Sequence, residues 1–219
     1  MKFIVTIFLF SQIVFAQDVE SPRVLVLTPI EFNLDTSLNL VSKEYQTTLT
    51  DEQVVECISS KNEYDDRDFV KKMNEMECEF ARNSDISTSF TYYLYGWLTF
   101  KLYGIFDDAI IYPAKGPDKR NLDLYESLSQ KHAVNWIVDL KEVEFIKEPD
   151  GLQGTAKVVL WNKNTNQITL STEIEIDDQN YGGEMRCDDG EISCLMINGA
   201  VYISHEILKS MYSEEKYWR

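Results

Sequence analysis

Three neighbouring segments in the last third of the chain have the pattern of strands, and they limit the possible folds more than any other feature. The segments cover 136–146, 154–161 and 168–176, and the first and third alternate apolar and polar residues. Alternation with a period of two residues is typical of strands that bury one face. Polar turns at 148–151 and 162–167 separate the segments, so we predict an antiparallel meander of three strands. The alternation slips at Lys141 and Glu142, which predicts a β-bulge in the first strand.

The residues before the meander predict one strand followed by several helices. The sequence RVLVLTP at 23–29 indicates a buried strand that ends at a proline. Helices are predicted over 51–60, where TDEQ at 50–53 forms a capping box, and from about 66 to 80. Further helices are predicted over 85–103, 121–133 and 196–212, with a short strand within 105–113.

This order of elements defines the predicted fold class. We expect an α/β (or α+β) domain with a single mixed sheet that ends in the antiparallel meander. The helices pack on this sheet, and a helical insertion follows the first strand. The length is that of one domain, so residues 17–219 are predicted to form a single globular unit.

The first sixteen residues have the pattern of a secretory signal peptide. A single Lys2 precedes an apolar stretch, and the small Ala16 stands before the polar Gln17. We therefore predict cleavage near Ala16, with 1–16 as the signal peptide. The stretch is short for a membrane span, and an uncleaved anchor is the alternative interpretation. No span is predicted in 17–219. The mature protein is expected to be periplasmic or secreted.

The chain is strongly acidic, with 37 acidic and 21 basic residues and a net charge of −16. Such a charge repels phosphate backbones and anionic lipids, so nucleic-acid and membrane-surface binding are disfavoured. It is compatible both with a cationic ligand and with solubility alone.

Four cysteines in an exported chain predict two disulfides. Of the three possible pairings we favour the one that closes two short loops, Cys57–Cys78 and Cys187–Cys194. A zinc site is the alternative, but the close C-x-x-C spacing that zinc sites favour is absent.

An aromatic segment is the best candidate for a contact surface. Residues 90–106 contain eight aromatic side chains and one charge, Lys101. A helix this apolar is either central in the core or presents a surface patch. A patch would bind a partner protein or a glycan, because tyrosine and tryptophan suit both contacts. The candidate binding residues are Tyr92, Tyr93, Tyr95, Trp97 and Tyr103.

The acidic loop at 177–194 is the candidate metal site. Asp178, Asn180 and Asp189 have the spacing of the first, third and twelfth positions of a calcium loop. The fifth position, Gly182, has no side-chain ligand, so a solvated loop closed by a disulfide is the alternative interpretation. Apart from calcium at this loop and the zinc alternative at the cysteines, no cofactor is predicted.

No catalytic residue is predicted. The sequence contains no G-x-S-x-G, P-loop, G-x-G-x-x-G or H-E-x-x-H motif. Its two histidines, His132 and His205, are interpreted as structural. Paired carboxylates could support hydrolysis of a glycoside, but a chain this acidic always contains some pair at a suitable distance.

Three segments together resemble a known kind of envelope domain. They are the strand VLVLTP at 24–29, the sequence NWIVDLKEVEF at 135–145 directly after a helix, and the hairpin KVVLWNKNTNQITLST at 157–172. This order resembles the TolB amino-terminal domains and the curli-secretion lipoproteins, over less than half of the chain. The helical insertion and the cysteine-flanked loop depart from that pattern.

The resemblance implies a domain that binds other proteins, usually without catalysis. We therefore predict an exported, non-enzymatic envelope or secreted protein with an envelope protein partner. A binding module for a small ligand or carbohydrate is the first alternative, and an acid-pair hydrolase is the second.

Overall fold

The computed structural model describes residues 21–64, 67–180, 187 and 191–212. The strands are β1 (Arg23–Leu27), β2 (Glu31–Leu34), β3 (Thr47–Thr48), β4 (Asn83–Ser84), β5 (Ile110–Ala114), β6 (Trp136–Glu148), β7 (Gly151–Asn162) and β8 (Gln167–Asp177). The helices are α1 (Asn39–Ser42), α2 (Asp51–Asn62), α3 (Asp68–Ala81), α4 (Ile86–Tyr103), α5 (Leu122–His132) and α6 (Ile192–Met211). The predicted signal peptide lies outside the described residues.

The main sheet is mixed, as predicted. Its strand order is β5-β1-β6-β7-β8, and β1 runs parallel to both of its neighbours. Strands β6, β7 and β8 form the predicted antiparallel meander. The register between β6 and β7 shifts between Leu140 and Glu142, which confirms the bulge expected from the slipped alternation.

Strand β2 is an addition that the sequence did not predict. Residues 30–45 mix apolar and polar residues without a clear period, so the sequence predicts no strand there. In the structure Glu31–Leu34 pairs in parallel with β6 beyond the bulge, through Glu142–Phe145. The helical insertion therefore follows both β1 and β2. It begins with the predicted capping box, in which Thr50 and Gln53 exchange hydrogen bonds between side chain and backbone.

Two apolar layers lie on opposite faces of the sheet. Helices α4 and α6 cover the face that carries Val138 and Phe145, and this layer contains most of the core. The other face is covered over the parallel strands by α3 and α5, around Tyr125 and Trp161. Three phenylalanines, Phe32, Phe90 and Phe145, meet edge to face with ring centroids 5.2–6.2 Å apart. Helix α4 therefore packs one face against the core on the sheet and leaves its other face at the surface.

Both disulfides have the predicted pairing, in which each bond closes a short loop. Cys57–Cys78 joins α2 to α3, and Cys187–Cys194 joins the acidic loop to the first turn of α6. Two disulfides are typical of proteins in oxidising, extracytoplasmic compartments. Within the described residues, no helix is both long and apolar enough to cross a membrane.

Candidate functional site: a groove beside helix α4

Helix α4 has a buried face and an exposed aromatic face. It begins at an N-cap, Asp85, whose carboxylate accepts a hydrogen bond from the Thr88 backbone N–H at 2.7 Å. Its buried face consists of fully covered apolar side chains, namely Phe90, Leu94, Leu98 and Leu102. The two interpretations of this segment, core and contact surface, therefore apply to different faces of one helix.

The exposed face is a row of aromatic residues one helical turn apart. Tyr92, Phe100 and Tyr103 are 40%, 58% and 38% exposed, and Gly96 stands between the first two. We call Tyr92, Gly96, Phe100 and Tyr103 the α4 strip. Trp97 is half-buried beside it, with its ring 5.7 Å from that of Phe100. Three of the five predicted binding residues, Tyr92, Trp97 and Tyr103, thus lie on or next to one exposed row.

Tyr95 and Tyr93 have different surroundings from the strip. Tyr95 is only 6% exposed, and its hydroxyl donates to Glu77 at 3.2 Å. It supports the site from within the protein. Tyr93 is half-buried and packs against the Cys187–Cys194 disulfide, while its other side lines a groove.

A buried carboxylate holds the underside of the strip. Glu77 of α3 accepts hydrogen bonds from the hydroxyls of Tyr92 and Tyr95, and Lys61 of α2 lies 2.9 Å from its Oε1. Burial, followed by the hydrogen bonds to Glu77 and its charge, raises the pKa of both tyrosines far above the usual range. Both phenols therefore stay neutral and keep donating, which fixes the Tyr92 side chain in place.

A groove of about 630 Å³ runs along α4. Tyr92, Tyr93 and Gly96 line it from α4, Phe80 from α3, and the segment 44–49 from the opposite side. A Cβ atom added at Gly96 would meet nothing within 4 Å, so this glycine leaves the groove open. The volume is within the range of clefts that hold small ligands or anchoring side chains.

Part of the lining of the groove is polar. Four hydroxyl residues, Thr47, Ser84, Thr88 and Ser89, contribute to the groove together with one carboxylate, Glu44. Apolar walls with a few polar groups are typical of binding clefts. A smaller cavity of about 260 Å³ adjoins the groove, because Glu44 and Tyr45 line both, and Glu191 lies on its far side.

The predicted calcium loop is described only in part. Asp178 accepts a hydrogen bond from the Leu152 backbone N–H at 2.6 Å, and Asn180 donates to the carbonyl of Cys187 at 2.5 Å. Asp189 lies outside the described residues. No group of three or more His, Cys, Asp or Glu within the described ranges is placed to hold a metal ion. The calcium site stays a prediction.

Carboxylates also meet at the far end of the meander. Glu144, Glu175 and Asp177 line a cavity of about 520 Å³ there. Asp177 accepts hydrogen bonds from Asn198 and Tyr202, at 3.2 and 3.0 Å, so it holds α6 against β8. This arrangement gives Asp177 a structural role, and the acid-pair hydrolase stays a prediction.

Sequence reasoning missed a buried ion cluster at the carboxyl ends of the parallel strands. Asp139 of β6 is fully buried and pairs with Arg120, whose side chain is 1% exposed. Tyr125 donates to the same carboxylate, and Lys141 lies 2.6 Å from it. Arg120 also donates to the Thr28 carbonyl at 2.7 Å. A charged residue inside the apolar run WIVDL was the available signal. The cluster fastens the loop after β5 to the sheet.

Comparisons with known proteins place the chain in no family. No family model matches it, and no curated protein matches it. Among solved structures, it is similar to TolB from Acinetobacter baumannii with 8% identity and a TM-score of 0.31, over 89% of this chain. The match spans 29% of TolB. A second similar structure is described as a neuraminyllactose-binding hemagglutinin homolog from Helicobacter pylori. There the identity is 10% and the TM-score 0.32, over 91% of this chain and 86% of the other.

Proposed function

We propose that this protein is an exported, non-enzymatic binding protein that holds a protein partner at the α4 strip and its groove. One observation carries the proposal: a row of exposed aromatic side chains borders a groove of about 630 Å³. Aromatic side chains in such rows supply much of the binding energy of protein interfaces. The groove provides the space for an anchoring side chain from the partner.

The strip is also prearranged for contact. The hydroxyl of Tyr92 is held by the buried carboxylate of Glu77, and the ring of Trp97 is packed against that of Phe100. Side chains that are already ordered lose little conformational entropy when a partner binds. The strip can therefore convert buried area into affinity more efficiently than mobile side chains of the same size.

The chemistry of the described lining suits contact better than catalysis. The groove brings together tyrosine rings, hydroxyls and the carboxylate of Glu44, and its described lining includes neither histidine nor cysteine. The lining offers a single carboxylate, and burial raises the pKa of the Tyr45 and Tyr92 phenols, so the described groups do not form a general acid–base pair suited to neutral pH. Removal of residues 1–16 and export to the periplasm or the cell exterior would place this surface among envelope or secreted partners.

Site-specific photo-crosslinking tests the proposal. A photo-reactive phenylalanine analogue replaces Phe100 in the full tagged chain, and in a matched control it replaces Leu122, which is 46% exposed on α5. After irradiation of the native cell envelope, we expect one stoichiometric protein adduct from position 100 and none from position 122. Gly96→Leu, which fills the groove from an open position, should abolish the adduct. Equal capture from both positions, or no protein adduct at all, would contradict the proposal.

A small ligand or carbohydrate is the second candidate function. The observation that favours it is the combination of Tyr45, Tyr92 and Tyr93 with several hydroxyls in one groove, since sugars bind through stacking on rings and through hydrogen bonds. Calorimetric titration with a panel of glycans tests it: the wild type should release heat on binding, and Gly96→Leu, which fills the groove from an open position, should abolish the signal.

A further inference from the structure

The groove and the smaller cavity next to it are negatively charged at their junction. Glu44 lines both cavities, and Glu191 lines the smaller one. None of the described residues that line either cavity is a lysine, arginine or histidine. An apolar groove with carboxylates and no described cation in its lining offers nothing to pair with an anionic ligand.

Tyr45 at the junction responds to these charges. It is half-buried, and burial raises its pKa, followed by the neighbouring Tyr93 and by the negative charges of Glu191 and Glu44. The hydroxyl therefore stays a neutral donor in a negative field. The whole chain adds to this field through its net charge of −16.

Resting on the proposed function, we infer that the partner presents a basic segment to this groove. An aromatic or branched aliphatic side chain occupies the wall formed by Tyr92, Tyr93 and Phe80, and a neighbouring lysine or arginine pairs with Glu44 and Glu191. A neutral or acidic segment would cover the two carboxylates without pairing them, which costs free energy. A basic segment is also drawn toward the acidic protein and is discriminated from acidic competitors.

Two labelled hexapeptides serve as probes, RFRFRF and its acidic counterpart EFEFEF. Fluorescence anisotropy measures their binding to the full chain at low and high salt. We expect RFRFRF to bind, with an affinity that falls as salt rises, and EFEFEF not to bind. The double variant Glu44→Gln and Glu191→Gln should weaken binding of RFRFRF about tenfold, as expected for two rim charges. Glutamine keeps the oxygen that accepts the Ser193 hydroxyl at Glu191.

A control variant with the same change in net charge separates the effect of the two groove carboxylates from the effect of the overall charge of the protein. Glu173→Gln and Glu175→Gln alter two exposed carboxylates of β8 that line neither cavity of the proposed site. We expect this pair to change the affinity by less than about twofold. Equal weakening by the two double variants would overturn the inference, because net charge alone would then explain binding. Equal binding of EFEFEF would overturn it as well.

The outcomes also separate this inference from the proposed function. If position 100 captures a protein but Glu44→Gln and Glu191→Gln leave peptide selectivity unchanged, the protein-binding function stands and the basic segment is wrong. If the groove carboxylates control binding of RFRFRF but position 100 captures no protein, the preference for a basic ligand stands and the protein-binding function is wrong.

Discussion

Replacing Arg120 with methionine tests how much the buried ion cluster stabilises the fold. The substitution removes the guanidinium that pairs with Asp139, together with hydrogen bonds to the carbonyls of Thr28 and Pro117 at 2.7 and 2.8 Å. Removing one partner of a buried ion pair costs about 3–5 kcal/mol, because the other charge is left without compensation. Lys141 and Tyr125 still contact the Asp139 carboxylate, so we expect the lower end, about 3 kcal/mol.

Urea unfolding followed by circular dichroism measures this change. Domains of ordinary stability unfold with a free energy of about 5–15 kcal/mol, so the loss should shift the midpoint strongly. Arg82→Met is the matched control, since Arg82 pairs with Glu79 and Asp51 at the surface and should cost less than about 1 kcal/mol. A loss of less than about 1 kcal/mol for Arg120→Met would refute the reasoning, because the buried ion pair would then stabilise the fold no more than a surface ion pair does.

Three further predictions concern the helix, the tyrosines and one disulfide. Gly96→Ala should raise the melting temperature through a stabilisation of up to about 1 kcal/mol, because the added Cβ meets nothing within 4 Å; a lower melting temperature would reveal an unrecognised contact. Burial, with the charges of Glu77 and Asp139, raises the pKa of Tyr95 and Tyr125 above the ordinary 10.0. The unfolded chain therefore loses these protons first. The contribution of these two tyrosines to the free energy of unfolding is full below about pH 10 and falls above it, by about 1.4 kcal/mol per pH unit for each tyrosine. An equally steep loss of stability in the Tyr95→Phe, Tyr125→Phe double variant, measured by urea unfolding, would contradict this. A dithiol reductant should open Cys57–Cys78 before the other disulfide, because Cys57 is only half-buried; mass spectrometry of alkylated thiols gives the order, and the reverse order would count against it.

Much of the fold could be predicted because its signals are local. The meander follows from alternation within single strands, and the bulge follows from the slip at Lys141. The capping box at Thr50 needs only four consecutive residues. Strand β2 escaped prediction because its four residues become a strand only through pairing with β6, more than a hundred residues later in the chain.

The sequence by itself determined the composition of the candidate site, and the tertiary structure decided its form. The many aromatic residues of the segment that forms α4 predict both a buried core helix and a contact surface. Which rings are buried and which are exposed depends on the neighbouring residues of α3 and α6. Tyr95 lies inside because Glu77 is there to accept its hydroxyl, whereas Phe100 has no such cover. Arg120 and Asp139 meet only because parallel strands bring their carboxyl ends to one edge of the sheet. Local sequence patterns show how apolar and polar residues repeat along one helix or strand. Burial and pairing of a given side chain depend on contacts between elements, which the tertiary structure alone provides.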